Sequence, residues 1–532
     1  MKRLLCFLNI SLVVILIATG CSNTPKDGIH TITVCSTTDL HGAYLDSLYN
    51  GEARPASLAN VSTYVNKLRE EGMKPVLIDV GDNLQGDNAA YYFNFVDTQS
   101  VHIFARAAKY IGYDAIVVGN HDIEAGHHVY DRFKESKIPY LAANAIVEGS
   151  DGEPYFEPYT IITRKGIKIA VIGMTNANIK SWLSKELWEG IDFLRISDIA
   201  QDWVDRVIEK ESPHLVILAC HTGIGHDAPD IENEAHYLAS SVRGVDMVLA
   251  GHDHRPFSDI IDNPSGNVLL INSGARASLL GEAIFELELK EGRVISKKLN
   301  SRRLIPMVDV EPDTHYSARF NKDFKAVYEF ANRKIGTITE EIYFSDALKG
   351  PSSYIDLVHK VQLEASGADI SFTAPLSDRG MIPAGIIRYN DLVLLYGYEN
   401  LLYVVELTGA QIKNYLEFSY YNWVNNIGPA YNFDSAEGII YRVIKSAPRG
   451  SMVEIISMKD GSSFDPDAIY KVAISSYRAS GGGNLIREGA GVNPDSLQVV
   501  SKYGDIRTLI GEYISKAGVI VPETPTNWSF VK

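Results

Sequence analysis

The chain has 532 residues, with 50 Lys+Arg against 66 Asp+Glu and a formal net charge of −16. Apolar residues make up 45% and charged residues 22%, which excludes a wholly disordered chain, a collagen and a small disulfide scaffold. The acidic balance argues against a protein that grips a nucleic-acid polymer by general phosphate neutralisation, but not against a nucleotide substrate, because a bound cation reverses the local field.

Met1-Lys2-Arg3 is a basic head, and Leu4 to Ala18 is an almost unbroken apolar run. That run is short for a bilayer span and has the length of a signal-peptide core. It ends in Ile17-Ala18-Thr19-Gly20-Cys21, small residues ahead of a Cys, which resembles the bacterial lipobox. The resemblance implies a signal over residues 1–20, a lipid on Cys21, and an exported protein anchored to the cell envelope at the periplasm or the cell surface. An ordinary secretory signal with an incidental Cys is the alternative. No later segment is long and apolar enough to span a membrane. Cys6 leaves with the signal. Cys35 and Cys220 stand either as small buried hydrophobes on strands or as a disulfide pair.

From Ile29 one theme repeats: a short apolar β-rich run, then a polar cluster containing Gly, His, Asp or Asn. The runs cover 29–35, 75–80, 114–118, 167–173, 215–219, 247–250 and 268–271. Between the early ones lie helical patterns. Leu58, Val61, Val65 and Leu68 keep one face and stop at Gly72; Val101, Phe104, Ala108 and Ile111 do the same and stop at Gly112. Apolar strands alternating with helices predict an α/β domain whose strands are buried on both faces, over residues 28–305. Tyr316, Phe320, Phe324, Val327 and Ala331 then predict a connecting helix over 311–336. Residues 337–526 predict a second domain of mixed pattern, with a helix near 353–365, strands near 403–407 and 470–475, and a terminal helix near 505–514.

Five clusters follow the apolar runs directly: Thr38-Asp39-Leu40-His41-Gly42, Gly81-Asp82-Asn83, Gly119-Asn120-His121-Asp122, His221-Thr222-Gly223 and Gly251-His252-Asp253-His254. Ligands gather at the carboxyl ends of strands in α/β sheets. Singly, each cluster fits a cap or a core histidine. Together they bring Asp, Asn and several His to one rim, and mixed imidazole and oxygen donors suit Mn, Zn, Fe or Co better than an all-oxygen or thiolate site.

In series, the five clusters resemble the signature of the calcineurin-like metallophosphoesterases. With the lipobox and the second domain, the chain resembles the bacterial 5′-nucleotidase and 2′,3′-cyclic-nucleotide 2′-phosphodiesterase/3′-nucleotidase family. The resemblance implies an N-terminal β-sandwich flanked by helices and a C-terminal α/β substrate-binding domain. It also implies two divalent cations (Mn, Zn, Fe, Co or Mg). One would be held by Asp39, His41, Asp82 and His254, and the other by Asp82, Asn120, His221 and His252, with Asp82 as the bridge. His121 would assist the leaving group, oriented by Glu124 or by its competitor Asp122. His127, His128, His214, His226 and His236 match no motif and are expected as surface or packing residues.

Three stretches of the second domain, 398–409, Tyr431-Asn432-Phe433-Asp434 and Tyr477-Arg478-Ala479-Ser480-Gly481-Gly482-Gly483-Asn484, resemble the family's nucleoside-binding domain. By that resemblance Tyr431 and Tyr477 would sandwich the base, Asn484 would join the substrate contacts, and the Gly run would let the backbone approach the ligand. Arg379 stands either as a substrate contact or as a surface cation. The stretch Ile382-Pro383-Ala384-Gly385 and the two Tyr motifs look closer to the cyclic-phosphodiesterase/3′-nucleotidase branch. Nucleotide hydrolysis is the expected activity, with 5′-nucleotidase or UDP-sugar specificity as one alternative and a nucleoside-binding lipoprotein without turnover as another.

Overall fold

In a computed structural model of the protein, residues 25–228 and 230–532 are described. The expected signal and the lipidated Cys21 lie outside these residues. Among the described residues no helix is long and apolar enough to cross a membrane.

The first domain is a sandwich of two six-stranded mixed sheets. One runs in the order Arg293–Pro306, Leu279–Lys290, Gly28–Thr37, Val76–Asp79, Ala115–Val117, Tyr140–Leu141. The other runs Phe257–Ile261, Val268–Asn272, Met247–Ala250, Leu215–His221, Ile167–Thr175, Tyr159–Arg164. Their inner faces share one core that includes Val34, Ile78, Val117, Ile169, Ile217 and Leu249. Helices Leu58–Glu70, Ile103–Ile111 and His127–Lys134 cover the outer face of the first sheet, and Ile196–Glu211 and Ala235–Ser241 that of the second. Both faces of each central strand are therefore dry, which is why Leu215–His221 is buried at every residue and reads as an unbroken apolar run.

This geometry decides the cysteine question. Cys35 belongs to the outer core of the first sheet and Cys220 to that of the second, so they lie on opposite sides of the sandwich, both buried and both free. The disulfide alternative falls, and the small-hydrophobe reading stands.

The connecting helix spans Thr314–Asn332, shorter at both ends than the expected 311–336, with Asp313 capping its first turn. Tyr316, Phe320, Val327 and Ala331 pack into the first domain, whereas Phe330 belongs to a core of the second. Gly336, read from sequence as the helix stop, lies instead inside the strand Lys334–Ile338, which pairs with Gly385–Arg388 and Val519–Ile520. A Cβ at Gly336 would come within 2.6 Å of Ile514, so only glycine lets this strand lie against the helix Ile506–Ala517.

The second domain centres on a five-stranded sheet ordered Ser435–Glu437, Ile370–Thr373, Ile469–Ser475, Leu401–Thr408, Val499–Asp505. The helix Gly409–Val424 packs on one face through Ile412, Tyr415 and Leu416, and Ser353–Ser366 and Ile506–Ala517 pack on the other. The domain continues past 526: Trp528–Val531 adds a strand beside Ile439–Ile444.

Candidate active site

All five clusters leave the carboxyl ends of sandwich strands and meet on one rim. Asp39 and His41 follow Gly28–Thr37, Asp82 follows Val76–Asp79, Asn120 and His121 follow Ala115–Val117, His221 closes Leu215–His221, and His252 and His254 follow Met247–Ala250. Five of these residues hold left-handed backbone: Asp39 at φ 51°, His41 at 44°, Asp82 at 59°, His252 at 76° and His254 at 57°. Such conformations cost on the order of 1–2 kcal/mol each for a residue with a Cβ, so the surrounding fold must impose them. Gly119 shows how tight the turns are, since a Cβ there would sit 2.1 Å from Oδ1 of Asp82.

Asp122 builds this rim rather than serving His121. Its carboxylate accepts the backbone N–H groups of Asp82 at 3.2 Å and of Asn83, Leu84 and Gly119 at 2.8 Å each. One side chain thereby ties the Asp82 turn to the Asn120 turn. Glu124 instead holds Nδ1 of His121, with one carboxylate oxygen in very close contact. Burial alone would lower the His121 pKa, but the carboxylates of Glu124 and Asp82 outweigh it and raise it to about 10.

The donor atoms fall into two groups, Asp39, His41 and His254 in one and Asp82, His221 and His252 in the other, with the atoms of each group within 4.8 Å of one another. The second group has a chemistry that calls for a cation. Nδ1 of His221 lies 2.6 Å from the Val80 carbonyl, which only accepts, so Nδ1 is protonated and Nε2 carries a lone pair in the neutral ring. That Nε2 faces Oδ2 of Asp82 at 3.0 Å and Oδ1 of Asn120 at 3.1 Å, and Nδ1 of His252 is 2.9 Å from the same Asn120 oxygen. Oδ2 of Asp82 is buried without a hydrogen-bond partner despite that short distance. Lone pairs converging on one point need a proton or a metal between them. Burial lowers the His221 pKa, yet Asp82 and Asp39 raise it to about 9, so the carboxylates favour positive charge at this point. A dication fills it with more charge and uses every donor. In the first group, Nε2 of His254 lies 3.0 Å from Nε2 of His41 and 3.4 Å from Oδ1 of Asp39. Burial lowers the His41 pKa to about 3, which keeps that ring neutral and fit to donate a lone pair.

The rim opens into a cleft of about 420 Å³ between the domains. His121, Glu124, His252 and His254 line it from one side, and Tyr398, Tyr431 and Tyr477 from the other. Tyr398 stacks on His121 with ring centroids 6.3 Å apart and planes at 24°, and meets Tyr431 edge-on at 6.5 Å. Gly482 backs the ring of Tyr477, where a Cβ would lie 2.4 Å from ring atoms, so this glycine makes room for the tyrosine rather than for a ligand.

Two expected substrate contacts are not brought to the cleft. Arg379 is exposed on the loop at 378–380, the surface-cation alternative, and Asn484 is exposed with left-handed backbone at φ 60°. Neither of the five motif-free histidines lines the cleft; His127 pairs with Asp131 and His214 packs between Lys168 and Gly292. Conversely, Trp182 stacks on His252 at 5.1 Å and 19°, and Arg478 with Asp434 supports the tyrosine loops. Sequence reasoning passed over all three, although Arg478 and Asp434 stood inside quoted motifs as an Arg and an Asp on buried loops.

Comparison with known proteins agrees with the two-domain fold. Residues 32–256 match the calcineurin-like phosphoesterase family model, and residues 334–487 match the 5′-nucleotidase C-terminal domain. A 2′,3′-cyclic-nucleotide 2′-phosphodiesterase/3′-nucleotidase of Yersinia enterocolitica is 25% identical over 98% of this chain and 91% of its own length. A 5′-nucleotidase of Vibrio cholerae is 23% identical over 89% of this chain and 90% of its own. Among solved structures, a Staphylococcus aureus chain in complex with alpha-ketoglutarate superposes with a TM-score of 0.80 at 19% identity, covering 94% of this chain and 100% of that one, a likeness of fold.

Proposed function

We propose that this chain, which belongs to the 5′-nucleotidase and 2′,3′-cyclic-nucleotide phosphodiesterase family by its two domains, hydrolyses nucleotide phosphoesters with two divalent cations. The observation that carries the reading is the single cleft: cation-facing imidazoles and carboxylates on one wall, tyrosine rings on the other. Asp39, His41, Asp82 and His254 would hold one cation, and Asp82, Asn120, His221 and His252 the other, whether Mn, Zn, Fe, Co or Mg.

When bound, the cations would supply Lewis-acid charge that activates water and neutralises phosphoryl oxygens. The chain supplies the rest. Glu124 accepts from Nδ1 of His121, and its charge together with that of Asp82 keeps the ring protonated at both nitrogens, so Nε2–H is the proton offered to the leaving oxygen. The Asp82 carboxylate accepts the His121 backbone N–H at 2.8 Å, which holds the donor beside the cation rim. Tyr398 covers the His121 ring and limits its contact with water. Tyr431 and Tyr477 stack the base, worth roughly 1–3 kcal/mol per stacked base, and orient the ester.

The Ile382-Pro383-Ala384-Gly385 stretch and the two Tyr motifs favour the cyclic-phosphodiesterase/3′-nucleotidase branch over 5′-nucleotidase specificity. Phosphate release from 3′-AMP, 5′-AMP and 2′,3′-cyclic AMP, with and without chelator, tests both. Turnover of 5′-AMP alone would assign the other branch, and no chelator-sensitive turnover of any of the three would sink the reading. Export and anchoring through Cys21 belong to the same proposal and rest on the sequence of the first 24 residues. Mass spectrometry of the membrane fraction should find a lipid on Cys21, and a soluble chain cut elsewhere would refute it.

A further inference from the structure

Each imidazole that faces a cation position must offer a lone pair there, so its other ring nitrogen needs an acceptor. His221 uses the Val80 carbonyl, a fixed part of its own domain. His41 is held differently. Its Nδ1 lies 3.2 Å from Oε1 of Gln85, whose side chain is buried. Nε2 of Gln85 in turn lies 3.4 Å from the carbonyl of Gly397, in the second domain. A carbonyl only accepts, so Gln85 turns its NH2 group to Gly397 and its oxygen to His41. Nδ1 of His41 therefore carries the proton, and Nε2 keeps the lone pair that faces His254.

Gly397 sits in a stiff segment. Arg507 donates to the carbonyls of Tyr396 and Gly397, at 2.8 Å each, and to Glu399 at 3.3 Å. The same guanidinium lies over the ring of Tyr91 of the first domain, 5.5 Å from its centroid. Tyr398, the next residue along, stacks on His121. Residues 396–399 thus reach the proton donor directly and a cation-facing imidazole through Gln85.

We propose that Gln85 is a positioning residue that couples docking of the second domain to the cation site by fixing the tautomer of His41. With the 396–399 segment in place, the Gln85 oxygen must face His41. With the segment withdrawn, the amide is free to turn its NH2 to His41, which favours the Nε2–H tautomer and takes the lone pair off the cation position. The inference rests on the two-cation reading.

The test uses full-length protein and Mn²⁺ titration by calorimetry, with nitrogen-15 NMR of labelled histidine to read the tautomers. Gln85→Leu removes the acceptor and should weaken one of the two binding steps about 10–100-fold, the usual effect of losing an outer partner of a ligating His. It should also move the His41 tautomer signal. Gln85→Glu accepts from Nδ1 however it turns, and should retain both steps. Arg507→Met leaves Gln85 intact but loosens the 396–399 segment, and should weaken the same step as Gln85→Leu. Unchanged binding and tautomer in Gln85→Leu, or equal losses in Gln85→Glu, would overturn the role of Gln85. Unchanged binding in Arg507→Met would overturn the coupling. Uptake of fewer than two cations by the wild type would instead overturn the two-cation reading.

Discussion

Arg478 and Asp434 form a buried ion pair in which Nε donates to both carboxylate oxygens, at 3.2 and 3.0 Å, and an Nη donates to one of them at 2.7 Å. The same guanidinium donates to the Tyr431 carbonyl, to Oδ1 of Asn432 at 2.9 Å and to the Gly482 carbonyl at 3.1 Å. The pair ties the loop bearing Tyr431 to the turn bearing Tyr477. Arg478→Met should cost about 3–5 kcal/mol, because it strands a buried carboxylate. Arg478→Lys should not rescue it, since an ammonium cannot span these acceptors at once. Chemical denaturation reads the outcome, and a lysine variant as stable as wild type would refute the clamp.

Removal of the bridge should differ from removal of a terminal donor. Asp82→Asn should weaken both cations, whereas His254→Ala should weaken mainly the one beside Asp39 and His41. Elemental analysis after dialysis measures this. Full activity with a single tightly bound metal would contradict the shared-carboxylate scheme.

His121→Ala should leave metal content nearly intact and lower turnover by roughly 10²–10⁴-fold, the range for a lost proton donor. Glu124→Gln should lower turnover too, through loss of the charge that favours the protonated ring. If His121→Ala sheds metal, the ring is a ligand and not the donor.

Tyr431→Ala and Tyr477→Ala should damage use of nucleotides and largely spare bis-p-nitrophenyl phosphate, which has no base to stack. Equal losses on both substrates would mean that the tyrosines support the fold instead.

Stability should fall on acidification below the ordinary histidine range. His359 is buried between Ser371 and Ser435, and burial, with the charge of Lys459, lowers its pKa from 6.5 to about 3. Burial, with Arg132 and Arg106, lowers His102 to about 3 as well. Between pH 6.5 and 3 the unfolded chain binds these protons and the native chain does not, so stability drops as pH falls, by up to about 1.4 kcal/mol per pH unit for each group. Denaturation of wild type and His359→Gln at pH 7 and pH 5 checks this. The variant should lose less on acidification; an identical loss would show that other groups govern it.

The rim was legible in the sequence because each donor directly follows an apolar run whose strand is dry on both faces. The sandwich and its helices were legible for the same reason. Short features were not. Lys334–Ile338 carries Gly336 at its centre and extends a helical pattern, so it read as a helix end. Tyr398, Arg478 and Asp434 owe their roles to contacts between loops distant in sequence, which periodicity does not encode. Asp122 looked like a rival to Glu124 because both follow His121 closely; only the turn reveals that its carboxylate points back at four amide groups. Arg379 and Asn484 sat within suggestive motifs, yet the loops carry them outward.

The left-handed backbone of Asp39, His41, Asp82, His252 and His254 sets selection for robustness against selection for activity. Glycine at any of these positions would relax its turn. Each such change strips a donor from the rim. A lineage selected only to survive heat would therefore lose its catalytic end first, and its most durable descendants would be inert copies with both domains intact.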